Sequence, residues 1–142
     1  MVQLAQIYAF HLGKVNEAVK LIDEAIILAD KPSRVIKLNE ILGNIYFSNL
    51  RNFSKSAMIY NELIQVKPRL RNFFEYKYRY AESLFLNNNL HDSLKIFKSL
   101  NNDFPQKNNS KIKFRIALIN HFLKKNMIAI DLFKEIIDGD YR

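Results

Sequence analysis

Residues 81–105 read AESLFLNNNLHDSLKIFKSLNNDFP, and the order of small, polar and large side chains in this stretch decides the fold. Ala81 lies on a segment whose apolar residues recur at intervals of three and four, the period of a helix. Asn87, Asn88 and Asn89 interrupt it, and asparagine accepts the left-handed backbone of a tight turn. A second segment sets the short Ser93 four residues before Phe97 and seven before Leu100, and Pro105 closes it. The expectation is two helices joined by a short polar turn. They nest where the side chains are small, because close-packed helices approach only where one side lacks bulk.

The same order recurs along the chain. Small residues at Ala5, Gly43, Ala81 and Ala117 are spaced by 38, 38 and 36 residues. Ala18, Ser56, Ser93 and Ala129 follow them, each trailed by a large residue, Ile22, Tyr60, Phe97 or Phe133, and then by Ala25, Leu63, Leu100 or Ile136. Turns are expected at Gly13 to Asn16, Leu50 to Ser54, Asn87 to Asn89 and Lys124 to Asn126, with Asn16, Ser54 and Asn126 as candidate N-caps. Four repeats result, at about 1–32, 33–69, 70–106 and 107–142, within one domain. One local pattern conflicts: Tyr76, Tyr78 and Tyr80 alternate with Lys77 and Arg79, the period of a strand. The repeat register assigns this segment to a helix on which Phe73, Tyr76, Tyr80 and Leu84 form one stripe.

Composition agrees. The 142 residues are 49% hydrophobic and 25% charged, which excludes a wholly disordered chain, and three glycines and three prolines are too few for a turn-rich β domain. The absence of cysteine excludes disulfide scaffolds, thiolate metal sites and cysteine nucleophiles. Met1 to Gly13 is uncharged but broken by Gln3, Gln6 and His11, so it is too polar to span a bilayer, and it has neither the basic start nor the cleavage site of a secretory signal. The sequence points to no compartment beyond the cytoplasm as a default. His11, His91 and His121 fall in three different repeats without helix-spaced acidic partners, so no metal site is expected. With no glycine-rich phosphate loop either, the chain reads as non-catalytic and free of cofactors.

The pattern resembles the tetratricopeptide repeat over essentially the whole chain. Leu42, Gly43 and Tyr46 reproduce that family's first-helix signature. Ser93, Phe97, Leu100 and Pro105 match the spacing of its second helix. The sequence departs from the family in its longer period, in lacking the first-helix tryptophan, and in Asn120 at the aromatic place of the fourth unit. The resemblance implies an all-α, right-handed α-solenoid of four helix-turn-helix repeats whose first helices line a concave face.

On that face the resemblance places Ala9, Asn44, Phe47, Tyr78, Glu82, Phe85, Phe114, Leu118 and His121. Aromatic residues are common anchors of peptide and helix recognition, so the expected function is a scaffold that holds a peptide or amphipathic helix of a protein partner. The pocket for a C-terminal carboxylate used by some chaperone-binding members of this family is not expected, because Glu40 and Tyr78 stand where lysine would be wanted.

Charge suggests a second reading. Residues 67–125 carry 13 basic and 4 acidic side chains, against 7 and 6 in residues 1–66 and 2 and 4 in residues 126–142. Lys67, Arg69 and Arg71 precede the third hairpin, and Lys107, Lys111, Lys113 and Arg115 the fourth. One basic stripe built from them would steer an acidic protein, meet anionic head groups, or bind RNA phosphates while Tyr78 and Phe114 stack on bases. A third reading, a bacterial envelope-assembly scaffold, rests on Asp103-Phe104-Pro105, which is similar to a recurrent ending in such proteins. The last helix carries Ile128, Ala129, Ile130, Leu132, Phe133, Ile136 and Ile137 over a wide arc, wider than a one-sided surface helix needs. A further helix of a longer chain, a second copy or a partner would cover it, and a start inside an apparent first helix fits an excised fragment.

Overall fold

The computed structural model describes residues 2–105 and 109–140, with side chains from 11 to 105 and from 110 to 139. Its described residues form α1 (Val2–Leu28), α2 (Pro32–Asn44), a π-helical turn (Ile45–Asn49), α3 (Phe53–Ile64), α4 (Phe73–Leu86), α5 (Leu90–Asp103), α6 (Asn109–Phe122) and α7 (Asn126–Asp140). No strand occurs among them, and Tyr76, Tyr78 and Tyr80 lie on α4. The chain divides into two compact units, residues 1–71 and 72–142, and the boundary falls two residues past the join of the second and third sequence repeats.

In the second unit, α4 with α5 and α6 with α7 form the expected hairpins. Their turns are built alike. Asn89 N–H donates to the Leu84 carbonyl and Lys125 N–H to the Asn120 carbonyl, both at 2.8 Å, while the residues before them, Asn88 and Lys124, have φ of 63° and 65°. These bonds satisfy carbonyls that a helix end leaves open, and a left-handed residue reverses the chain. Ala81 and Ser93 are fully buried, and Ser93 Oγ donates to the Ala81 carbonyl at 2.8 Å, joining α5 to the backbone of α4. Phe97, Leu100, Ile112 and Ile119 complete the core with no exposure. Asn120, at the family's aromatic place, is buried and donates back to the Ile116 carbonyl at 2.8 Å, which satisfies its amide within α6.

In the first unit, α2 and α3 pair through Gly43. A Cβ there would lie 3.1 Å from the Tyr60 ring and 3.2 Å from Ile59, a tighter contact than most, so glycine lets the two helices meet without displacing either side chain. The Tyr60 hydroxyl donates to Asn44 Oδ1 at 2.6 Å. Thirteen residues separate Gly43 from Ser56, against twelve between Ala81 and Ser93. The extra residue is absorbed by the π-helical turn, and the closing bond is wider by one residue, running from Asn52 N–H to the Tyr46 carbonyl at 2.8 Å. The cap of α3 is Asn52, whose Oδ1 accepts from Lys55 N–H at 3.2 Å, whereas Ser54 was expected.

The first repeat departs from its expectation. Gly13 to Asn16 form no turn, because α1 runs unbroken through them for 27 residues. A glycine within a helix costs only about 1 kcal/mol, which a continuous hydrogen-bond ladder offsets. Asn16 is therefore not an N-cap, and Asn126 is the first residue of α7 rather than the residue before it.

Candidate functional site

The residues expected to face a partner are not all alike in the structure. Phe47 is only 9% exposed and packs edge-on against Phe53 at 5.5 Å, inside the first unit. Tyr78 is 8% exposed, T-shaped to Phe97 at 5.7 Å and stacked on Phe74 at 6.3 Å. Both rings serve packing. Asn44, also in the first unit, is exposed, its side chain accepting from Tyr60. Ala9 and Lys107 lie outside the described side chains.

The remaining expectations converge on the second unit. Helical spacing puts Lys111, Phe114, Arg115, Leu118, His121 and Phe122 on one side of α6, opposite the buried Ile112, Ile116 and Ile119. Tyr78, Glu82 and Phe85 lie one turn apart on α4. Side chains bridge the two helices in register. Lys111 Nζ stands 5.0 Å from the centre of the Tyr78 ring, the Arg115 guanidinium lies 3.2 Å from Glu82 Oε1 and 5.1 Å from the Phe85 ring, and Phe85 meets Phe122 at 6.1 Å. Phe122 is 54% exposed, with the exposed His121 ring 5.7 Å away. Phe114, 46% exposed, turns its edge to Phe133 of α7 at 5.8 Å, and Leu118 is half-buried between these aromatics along the helix.

Two groups that the sequence suggested separately, aromatic contacts and cations, thus share one face. The expected basic series on α6 divides accordingly. Lys113 points away from Lys111 and Arg115 and pairs with Glu135 of α7 at 3.7 Å. Lys67, Arg69 and Arg71 are exposed and belong to the first unit. Phe122 was missed in the sequence, although it follows Phe85 by 37 residues, close to one repeat. Asp103-Phe104-Pro105 has local work. Asp103 pairs with Lys77 at 3.7 Å, and the Phe104 ring rests against Phe74 at 5.1 Å and Phe73 at 6.4 Å where α5 ends.

The electrostatics centre on Tyr78. Its hydroxyl is buried and forms no hydrogen bond, a state that costs on the order of 1–3 kcal/mol. Burial pushes the phenol far above its ordinary value, the Glu82 carboxylate adds to the rise, and the Arg115 guanidinium opposes it. Burial also raises Tyr80, with Asp92 contributing. Among the described residues no His, Asp or Glu cluster has the arrangement of a metal site, and no helix is long and apolar enough to cross a membrane.

No family model matches the chain, and no curated protein does. A solved structure does: the chain titled MamA MSR-1 C2, from a tetratricopeptide-repeat protein, is similar with a TM-score of 0.71 and 19% identity, over 94% of this chain and 71% of that one. The helices of the described residues, their repeated hairpins and this likeness give the chain an all-α helical-repeat fold similar to that tetratricopeptide-repeat structure.

Proposed function

We propose that the chain is a non-catalytic scaffold that holds a segment of a partner protein against the α4–α6 face. The observation that carries this reading is the ladder of Phe85, Phe122, Lys111 and Arg115, in which a half-buried and an exposed ring lie beside cations already positioned by their neighbours. Preorganised aromatic and arginine side chains lose little freedom on binding and dominate recognition energetics. Phe114, Leu118 and His121 extend the same face along α6. The RNA reading finds less support. Lys113 and Arg115 both face carboxylates, and a phosphate-binding stripe needs its cations unpaired.

Capture of partners from lysate by the chain and by its Phe85→Glu variant tests the reading, with nuclease treatment and two salt concentrations. A defined protein retained by the wild type after nuclease and at moderate salt, and lost from a variant of unchanged helicity, is the expected result. RNA that disappears with nuclease or salt would replace the scaffold reading, since only phosphate contacts weaken so steeply with ionic strength.

A further inference from the structure

The Glu82–Arg115 pair is unevenly made. Arg115 Nε, at 3.3 Å, and Nη2, at 3.2 Å, both address Glu82 Oε1, instead of each taking one carboxylate oxygen as a guanidinium fork prefers. One helical turn back, the Tyr78 hydroxyl is a buried donor without an acceptor. Glu82 and Arg115 both act on it, by charge and by hydrogen-bonding proximity, yet neither completes a hydrogen bond of good geometry with it. One nearly buried carboxylate thus has two claimants, a guanidinium on α6 and a phenol on its own helix, and in the free chain the guanidinium holds it.

We propose that a side-chain carboxylate of the partner takes Arg115 from Glu82, and that Glu82 then accepts the Tyr78 hydroxyl. This deepens the scaffold reading and rests on it. The free chain keeps one buried donor unmet, and the exchange meets every one: the partner's two oxygens fill the Arg115 fork, and Glu82 turns to Tyr78. Arg115 can be reached, since about a quarter of its side chain is exposed, whereas Glu82 is nearly covered. Lys111, exposed and seated on the Tyr78 ring, supplies a second cation to the incoming carboxylate. Phe85 under the guanidinium and the open ring of Phe122 select an aromatic or large apolar residue beside the acid. Two cations, Lys111 and Arg115, stand beside these rings, with Glu82 committed to Arg115 and Glu75 a turn before Tyr78, so the segment that fits between the cations and rings is acidic and apolar. Tyr78 acts here as a positioning residue through Glu82.

The test uses the full chain and three fluorescent probes: a short blocked peptide alternating aspartate with phenylalanine, the same peptide with asparagine for aspartate, and hexauridylate. Affinities come from anisotropy, and the Nε–H resonance of Arg115, assigned with Arg115→Lys, reports the exchange. The aspartate peptide is expected to bind about tenfold tighter than the asparagine peptide and to shift that resonance. Tyr78→Phe keeps the ring that supports Lys111, and it is expected to reduce this preference severalfold while leaving asparagine-peptide binding unchanged. Equal binding of the two peptides at the α4–α6 face, or a full preference in Tyr78→Phe, would overturn the exchange and leave the groove standing. Neither peptide perturbing the face would overturn both. Hexauridylate shifting Arg115 where the aspartate peptide does not would assign the cations to phosphate instead.

Discussion

Gly43 and Gly13 are both helical glycines, yet the structure gives them opposite roles. At Gly43 an alanine gains about 1 kcal/mol of helix propensity but drives its methyl to 3.1 Å from Tyr60, whose hydroxyl is fastened to Asn44. Overpacking of this kind costs about 1–3 kcal/mol, so Gly43→Ala is expected to lower the unfolding free energy by about 1 kcal/mol in urea. Gly13 has nothing within 4 Å of such a methyl, and Gly13→Ala is expected to raise stability by about 1 kcal/mol. Tyr78 gives a pH prediction. Its folded-state pKa is raised above the ordinary 10.0, so the folded chain holds the phenolic proton more tightly than the unfolded chain does. The stability linked to that proton is complete below pH 10 and is lost as pH rises toward the folded value. Denaturation followed at increasing alkaline pH should show this loss in the wild type and a smaller one in Tyr78→Phe. These residue properties differ in how far the sequence shows them. A small residue at Gly43 is legible from its spacing, whereas the orphaned hydroxyl depends on side chains that only folding brings together.

At the scale of an element, the hairpin turns show how one residue of length is accommodated. The π-helical turn at Ile45–Asn49 holds one residue more than the corresponding end of α4, and its Ser48 is exposed. Deleting Ser48 is expected to convert the turn to ordinary helix and preserve the pairing of α2 with α3, with thermal stability held or raised. Deleting Asn88, whose turn is already at its minimum, should disrupt the α4–α5 hairpin, seen as lost helicity by circular dichroism. Lys124 offers the reciprocal test. Its φ of 65° is costly for a side chain with a Cβ, so Lys124→Gly is expected to gain a few tenths to about 1 kcal/mol. The hairpins were legible because each helix is written in local spacing. The extra length at Leu50 was legible as well, but its placement inside the end of a helix was not, since a π turn has no composition of its own.

Across the whole molecule, large apolar side chains remain uncovered. Met127, Ile128, Ile130 and Ile137 on α7 are exposed, Met127 by 77%, in keeping with the wide apolar arc read from that helix. Ile130 and Ile137 are half exposed, so Ile130→Lys with Ile137→Lys should leave helicity unchanged and lower the unfolding free energy by no more than about 1 kcal/mol per substitution. The same pair should reduce light scattering at high concentration, since exposed apolar patches promote association.

The sequence by itself determined the all-helical class, the three hairpins from Pro32 onward and the small residues where their helices meet, because those features follow from periodicity within tens of residues. Tertiary structure alone decided that α1 is unbroken, for Gly13 to Asn16 are compatible with turn and helix alike. It also decided which side chains meet on the α4–α6 face. Arg115 and Glu82 are 33 residues apart in sequence, and nothing local in α6 shows that Arg115 meets a carboxylate and a ring on α4 while Lys113, two residues earlier, turns to α7. Periodicity fixes the side of a helix a residue occupies, and the neighbouring helix fixes what that side chain can do.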